Sequence, residues 1–213
     1  MEAYDSDEQL DRLKAWWNKY GNALIVGIVL GVMVLVGAKY WLRHRTLSSD
    51  AASSLYDVML GELAQKDTTA AAQDGQLLIS HYGATPYAGD AALILARISL
   101  DAGDIKAARE HLRWAMSHAA SSGVRNAARL RLARILMQDG KLSAALKLAD
   151  SKDRDGFASD YDELRGDIFA AQGKKGEARQ AYGAALAELG SGSPYARVLR
   201  MKLDDLGRPE AAK

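Results

Sequence analysis

Four histidines, His44, His81, His111 and His118, are the side chains best suited by type to acid–base or metal chemistry. Their spacing argues against both. Only His111 and His118 sit at a helix-compatible spacing, seven residues apart. That puts them on one face but two turns from each other, too far to share an ion. The chain has no cysteine, which removes disulfides, thiolate ligands and thiol catalysis. Asp150, Asp153 and Asp155 cluster, but Lys152 and Arg154 interrupt them and no distal Glu completes a calcium loop. They read as a solvated connection. No G-x-x-x-x-G-K-[ST] phosphate loop, no G-x-G-x-x-G after a strand and no G-x-S-x-G elbow occurs. No catalytic residue, metal site or cofactor is expected.

The charge balance narrows the partners. The net charge is +1, and 22 of the 28 basic and 22 of the 27 acidic residues lie beyond residue 45. A main domain that is formally neutral has no basic stripe for phosphates, so no nucleic-acid partner is expected. Abundant Ala and only 3 Pro favour helices. The fold class expected is all-α, in two parts: one N-terminal transmembrane helix, then a tetratricopeptide-like helical-repeat solenoid.

The anchor is read over residues 21–42. Ala23 to Ala38 are sixteen residues without a charge. Extended to 21–42, the segment spans about 33 Å as a helix, against a hydrocarbon thickness of about 30 Å. Trp16, Trp17 and Tyr20 flank one end and Tyr40 and Trp41 the other, as aromatic belts do at membrane interfaces. Lys39 can snorkel to the headgroups, so membrane lipid is an expected partner. Val36 and Ala38 would suit a signal-peptide cut, but the preceding region is long and acidic and a bulky Lys39-Tyr40-Trp41 follows. The segment therefore reads as an uncleaved anchor. Three basic residues precede it (Arg12, Lys14, Lys19) and three follow (Lys39, Arg43, Arg45), so the positive-inside count leaves the topology open. Ala23, Gly27 and Gly31 recur at four-residue spacing and form a candidate contact face for another transmembrane helix. Residues 1–20 read as an acidic amphipathic arm, with Asp5, Ser6 or Asp7 as N-cap.

Beyond the anchor, residues 43–207 read as the repeat domain and 208–213 as a disordered tail. Three helix-turn-helix segments align on Gly103, Gly140 and Gly173, separated by 37 and 33 residues. These bracket the tetratricopeptide period of about 34. Small residues are expected where paired helices cross: Ala96 with Ala108, Ala133 with Ala145, Gly166 with Ala178. Leu95, Leu112, Leu132, Leu148, Phe169 and Tyr182 fill the stripe between them. Residues 48–85 read as a further pair without the glycine turn, and 194–206 as a closing helix with Ser193 as N-cap and Pro194 first. Register on the first helix of each repeat assigns a groove. Its candidate residues are Asp90, Leu93, Arg97 and Leu100; then Ala127, Leu130, Arg134 and Met137; then Asp160, Glu163, Asp167 and Ala170. Such a lining runs from apolar and basic to acidic and suits an unfolded or extended peptide.

Several stretches together resemble a known family. They are Tyr20-Gly21-Asn22-Ala23-Leu24 with Gly27 and Gly31, Leu130-Arg131-Leu132-Ala133-Arg134, Gly156-Phe157, and Leu164-Arg165-Gly166-Asp167. Gly173-Lys174-Lys175-Gly176-Glu177-Ala178-Arg179 and Met201-Lys202-Leu203-Asp204-Asp205-Leu206 complete the set. In this order they resemble the YfgM-like family, the ancillary subunit of the bacterial SecYEG translocon. The resemblance implies a single-pass inner-membrane protein, N-terminus cytoplasmic and repeat domain periplasmic. It implies partnership with the SecYEG translocon and a PpiD-like periplasmic chaperone, a role in passing nascent secretory proteins onward, and no enzymatic activity. The alternative is a scaffold that binds folded partners in envelope biogenesis or stress signalling.

Overall fold

The structure, a computed structural model, describes residues 3–189 and 192–207. The tail over 208–213 lies outside them. The described residues are helical, without strands: α1 (Ala3–Ala64), α2 (Thr68–His81), α3 (Pro86–Asp101), α4 (Ile105–His118), α5 (Ser122–Gln138), α6 (Leu142–Ala149), α7 (Ala158–Ala171), α8 (Lys175–Leu189) and α9 (Ala196–Asp205). They form two compact units, Met1–Asp50 and Ala51–Lys213.

In the first unit, α1 starts at Ala3, so Asp5, Ser6 and Asp7 lie inside its first turns rather than capping it. Among the described residues no single helix is long and apolar enough to cross a membrane. A pair, Lys14–Asn22 and Ile25–Tyr40, bent by 41°, passes by length and composition together. The bend follows Gly21, whose bare Cα is covered by the Trp17 indole; a Cβ there would lie 3.1 Å from the ring. Beyond it Val34, Leu35 and Val36 are exposed.

The second unit holds the repeats. From α2 onward each helix packs on the next, and α3 with α5 and α5 with α7 also touch, so these first helices make one wall. The core is a series of clusters handed from pair to pair. Ala52, Met59, Ala71, Leu78 and Ala91 join α1, α2 and α3. Ala92, Leu112 and Leu132 join α3, α4 and α5. Leu130, Ala145, Tyr161 and Leu164 join α5, α6 and α7. Ala178, Tyr182 and Leu199 close the array. Stability then comes from neighbour contacts, as in other repeat arrays.

The turns explain the register. Gly103, Gly140 and Gly173 have φ of +78°, +73° and +73°. In each the amide after the glycine reaches back five residues: Asp104 to Ser99 O, Lys141 to Leu136 O, Lys174 to Phe169 O. This is the closure that ends a helix with a left-handed residue. The first pair makes the same turn with a lysine: Lys66 has φ +63° and Asp67 N–H donates to Glu62 O. The pair without a glycine signature is thus a repeat of the same geometry. Asp67 and Asp104 then accept from Ala70 N–H and Ala107 N–H as N-caps.

The helix crossings conserve volume rather than identity. Ala96, Ala108, Ala133, Ala145, Gly166 and Ala178 are all buried at crossings. In the first pair the large side chain is on the first helix: Met59 occupies the place of Ala96, and Gly75 on α2 makes room, since a Cβ there would lie 2.8 Å from Met59 Cε. In the last pair the arrangement is reversed. Gly166 on α7 admits the Tyr182 ring from α8. The closing helix starts at Ala196 rather than 194. Ser193 and Pro194 form a turn instead, with Ala196 N–H donating to Ser193 O.

Candidate functional site

The first-helix wall carries the predicted groove residues, and the turns bring equivalent positions into line. Ten residues before each turn residue stand Tyr56, Leu93, Leu130 and Glu163; six before stand Leu60, Arg97, Arg134 and Asp167. Between α1 and α5 the wall is indented by a cavity of about 500 Å³, lined by Tyr56, Asp90, Leu93, Arg97, Leu100 and Arg131. Leu93, Arg97 and Leu100 therefore line one cavity, with Asp90 beside them.

Its electrostatics are uneven. Arg97 pairs with Asp101 one turn on, at 2.8 Å, but both side chains are well exposed. Arg131 is exposed, and among the described residues it has no hydrogen bond or ion pair. Burial pushes the Asp90 carboxyl above its ordinary range. Burial, then the field of Asp90, raises the Tyr56 phenol. A half-buried carboxylate thus lines the cavity together with two guanidinium groups.

The remaining predicted residues divide differently. Leu130, 3% exposed, is taken into the core between α5, α6 and α7, because that face of α5 packs on α7. Met137 packs against the same cluster. Ala127, Asp160 and Ala170 are half-buried. Arg134 is half-buried too, with no hydrogen bond or ion pair among the described residues. Gly27 and Gly31 have open space where a Cβ would stand. The side chain of Ala23 lies outside the described residues.

Glu163 and Asp167, the acidic end of the predicted lining, are already occupied. Lys202 of α9 donates to Glu163 Oε1 at 2.7 Å and to Asp167 Oδ1 and Oδ2 at 2.7 and 2.9 Å. Tyr195 O–H bonds both Glu163 oxygens, and Tyr182 O–H donates to Asp167 at 2.7 Å. Burial alone would lower the Lys202 pKa, but these bonds to Asp167 and Glu163 raise it above the ordinary lysine value. Burial, then the bond to Asp167, raises Tyr182 strongly. The closing helix therefore engages both carboxylates at one end of the wall with a single lysine, while Arg131 and Arg134 in the middle have no ion pair among the described residues.

Register counted from the glycines left out Tyr56 and Arg131. Tyr56 is found by treating Lys66 as a turn residue. Arg131 stands nine residues before Gly140, as the cavity residue Ile94 does before Gly103.

Elsewhere the polar groups serve the scaffold. A short α6 of 8 residues is followed by a connection held by arginines. Arg129 reaches Asn126 Oδ1, Tyr161 O–H and Asp153 O, and Arg154 pairs with Asp162 at 2.5 Å. His118 stacks on Trp114 with ring centroids 5.0 Å apart, and burial lowers the pKa of His111. Among the described residues no group of three or more His, Asp or Glu is placed to hold a metal.

Residues 14–208 match the family described as a tetratricopeptide repeat-like domain. The chain is 31% identical over 205 residues to a Neisseria gonorrhoeae protein named ancillary SecYEG translocon subunit, covering 95% of this chain and 97% of that one. An Escherichia coli protein of the same name is 29% identical over 185 residues, covering 85% and 88%. One from Haemophilus influenzae is 28% identical over 203 residues, covering 95% and 98%.

Proposed function

Because this chain belongs to the family of ancillary SecYEG translocon subunits, we propose that it is a non-catalytic, membrane-anchored adaptor of the bacterial Sec translocon. It binds segments of newly translocated proteins on its first-helix wall and helps pass them to a periplasmic chaperone of the PpiD kind. The observation that carries the reading is the cavity between α1 and α5, about 500 Å³, apolar at Leu93 and Leu100 and charged at its edges. An indentation of mixed character suits short stretches of unfolded chain, which offer apolar side chains and backbone polar groups together.

The anchor supports the same role. The exposed apolar residues of the bent pair, Val34, Leu35 and Val36 among them, need a non-aqueous environment. We take residues 21–42 as a single inner-membrane span, the arm cytoplasmic and the repeats periplasmic. The open surface at Gly27 and Gly31 would let a translocon helix approach closely. Tethering beside the channel raises the local concentration of the wall, so weak contacts with clients suffice.

Two experiments test this. Tagged full-length chain, purified in mild detergent, is expected to retain translocon subunits and a periplasmic chaperone. Its recovery without either, from membranes where both were solubilised, contradicts the adaptor role. Separately, the purified chain should slow aggregation of an unfolded secretory client at several-fold molar excess. A scaffold for folded partners is the second reading, favoured by Val198 and Met201 exposed on α9. Under it, co-purification survives an Arg131→Glu change.

A further inference from the structure

Resting on the peptide-binding reading above, the geometry points to a specific ligand chemistry. We infer that the α1–α5 cavity takes an extended peptide segment with an acidic side chain, apolar residues after it, and a cationic or N–H donor about three residues from the acid. Three observations lead there. First, the cavity holds a guanidinium, Arg131, that has no ion pair among the described residues. Lys202 already engages Glu163 and Asp167, the only carboxylates at the positions six and ten residues before a turn. Arg131 and Arg134 have no ion pair among the described residues, and Arg97 has only a surface partner. Second, Leu93 stands between Asp90 and Arg97 along α3, and Leu100 one turn beyond Arg97 adds to the same apolar lining. Asp90 and Arg97 are seven residues apart on α3, about 10 Å along its axis. An extended chain covers that distance in about three residues. Third, α9 shows the complementary pattern at the other end of the wall, with one cation on two carboxylates beside the apolar Leu199, which is fully buried.

The two signs also choose among occupants. A lipid phosphate would satisfy the guanidinium groups but meet the Asp90 carboxylate unfavourably. A peptide supplies a carboxylate for one end and a donor for the other, so the occupant is a peptide.

The test uses full-length chain in detergent micelles and fluorescein-labelled peptides read by anisotropy. The probe is SGELLKGS; the controls are SGKLLKGS, with the acid replaced, and SGESSKGS, without the apolar pair. Expected is a preference for SGELLKGS of at least tenfold over both. Arg131→Glu, at an exposed position, should weaken SGELLKGS at least tenfold and tighten SGKLLKGS, a reversal that misfolding does not produce. If wild type binds SGELLKGS and SGKLLKGS equally, the wall binds peptides but the acidic preference is wrong. If no peptide binds, the peptide-binding reading and this inference both fall. Displacement of SGELLKGS by dihexanoylphosphatidylglycerol at comparable concentration would assign the cations to lipid and overturn the proposal.

Discussion

Adding one methyl group at Gly166 should destabilise the last repeat, although helix propensity argues the opposite. A mid-helix Gly→Ala change is ordinarily stabilising by about 1 kcal/mol. Here the new Cβ would lie 2.4 Å from Cδ1 and Cε1 of Tyr182 and 3.0 Å from Cγ. Favourable carbon contacts begin at about 3.5 Å. The ring cannot simply swing away, because Tyr182 is 4% exposed and its hydroxyl is bonded to Asp167 at 2.7 Å. Overpacking costs about 1–3 kcal/mol, and losing a hydrogen bond to a charged acceptor about 1.5–3 kcal/mol. Less the propensity gain, the net is about 1.5–5 kcal/mol, which lowers the melting temperature by roughly 3–20 °C for a domain of this size. Thermal unfolding of the full chain, followed by helical circular dichroism, measures it. Tyr182→Leu should relieve the clash, so the double variant should lose less than the two single losses added, with a coupling of at least about 1 kcal/mol. A Gly166→Ala chain that melts at or above wild type, or strict additivity, refutes the volume-exchange account of the crossings.

Lys66→Gly should stabilise the chain by about 0.5–1 kcal/mol in denaturant unfolding, because a lysine holds a left-handed turn there, while Gly103→Ala costs about 1 kcal/mol. Lys202→Met should cost about 3 kcal/mol by the same assay, since the Glu163 side chain, 5% exposed, is left without its cation. Lys202 and Tyr182 both have raised folded pKa values, so the folded state keeps protons that the unfolded chain releases from about pH 10 upward. Their contribution is complete below about pH 10 and is lost as pH rises through the folded values. The melting temperature should fall across that range in wild type and more shallowly in Tyr182→Phe, with parallel curves counting against the link. In spheroplasts, added protease should digest the repeats and spare the arm; the reverse pattern would invert the topology.

The sequence carried the repeats well because their signals are local. Each turn needs a left-handed residue, and Gly103, Gly140 and Gly173 mark three of four; the fourth was hidden because Lys66 accepts the strain. Small crossing residues were legible at Ala96 and Gly166 but not at Met59, where the compensation sits on the partner helix at Gly75. The wall was legible by register at Leu93, Arg97 and Leu100. It was not legible at Leu130, whose burial depends on how α5 meets α7, nor at Glu163 and Asp167, whose partner Lys202 lies 39 and 35 residues away. Long-range pairing of that kind leaves no periodic trace.

The central claim, work at the translocon through the anchor and wall, is tested most directly by site-specific photocrosslinking in native membranes. A photoreactive amino acid at Gly31 or at Arg131 samples each surface in turn. The account predicts adducts between position 31 and a translocon subunit, and between position 131 and a secretory protein trapped during export. Absence of both adducts, with a fully inserted and folded chain, would contradict it.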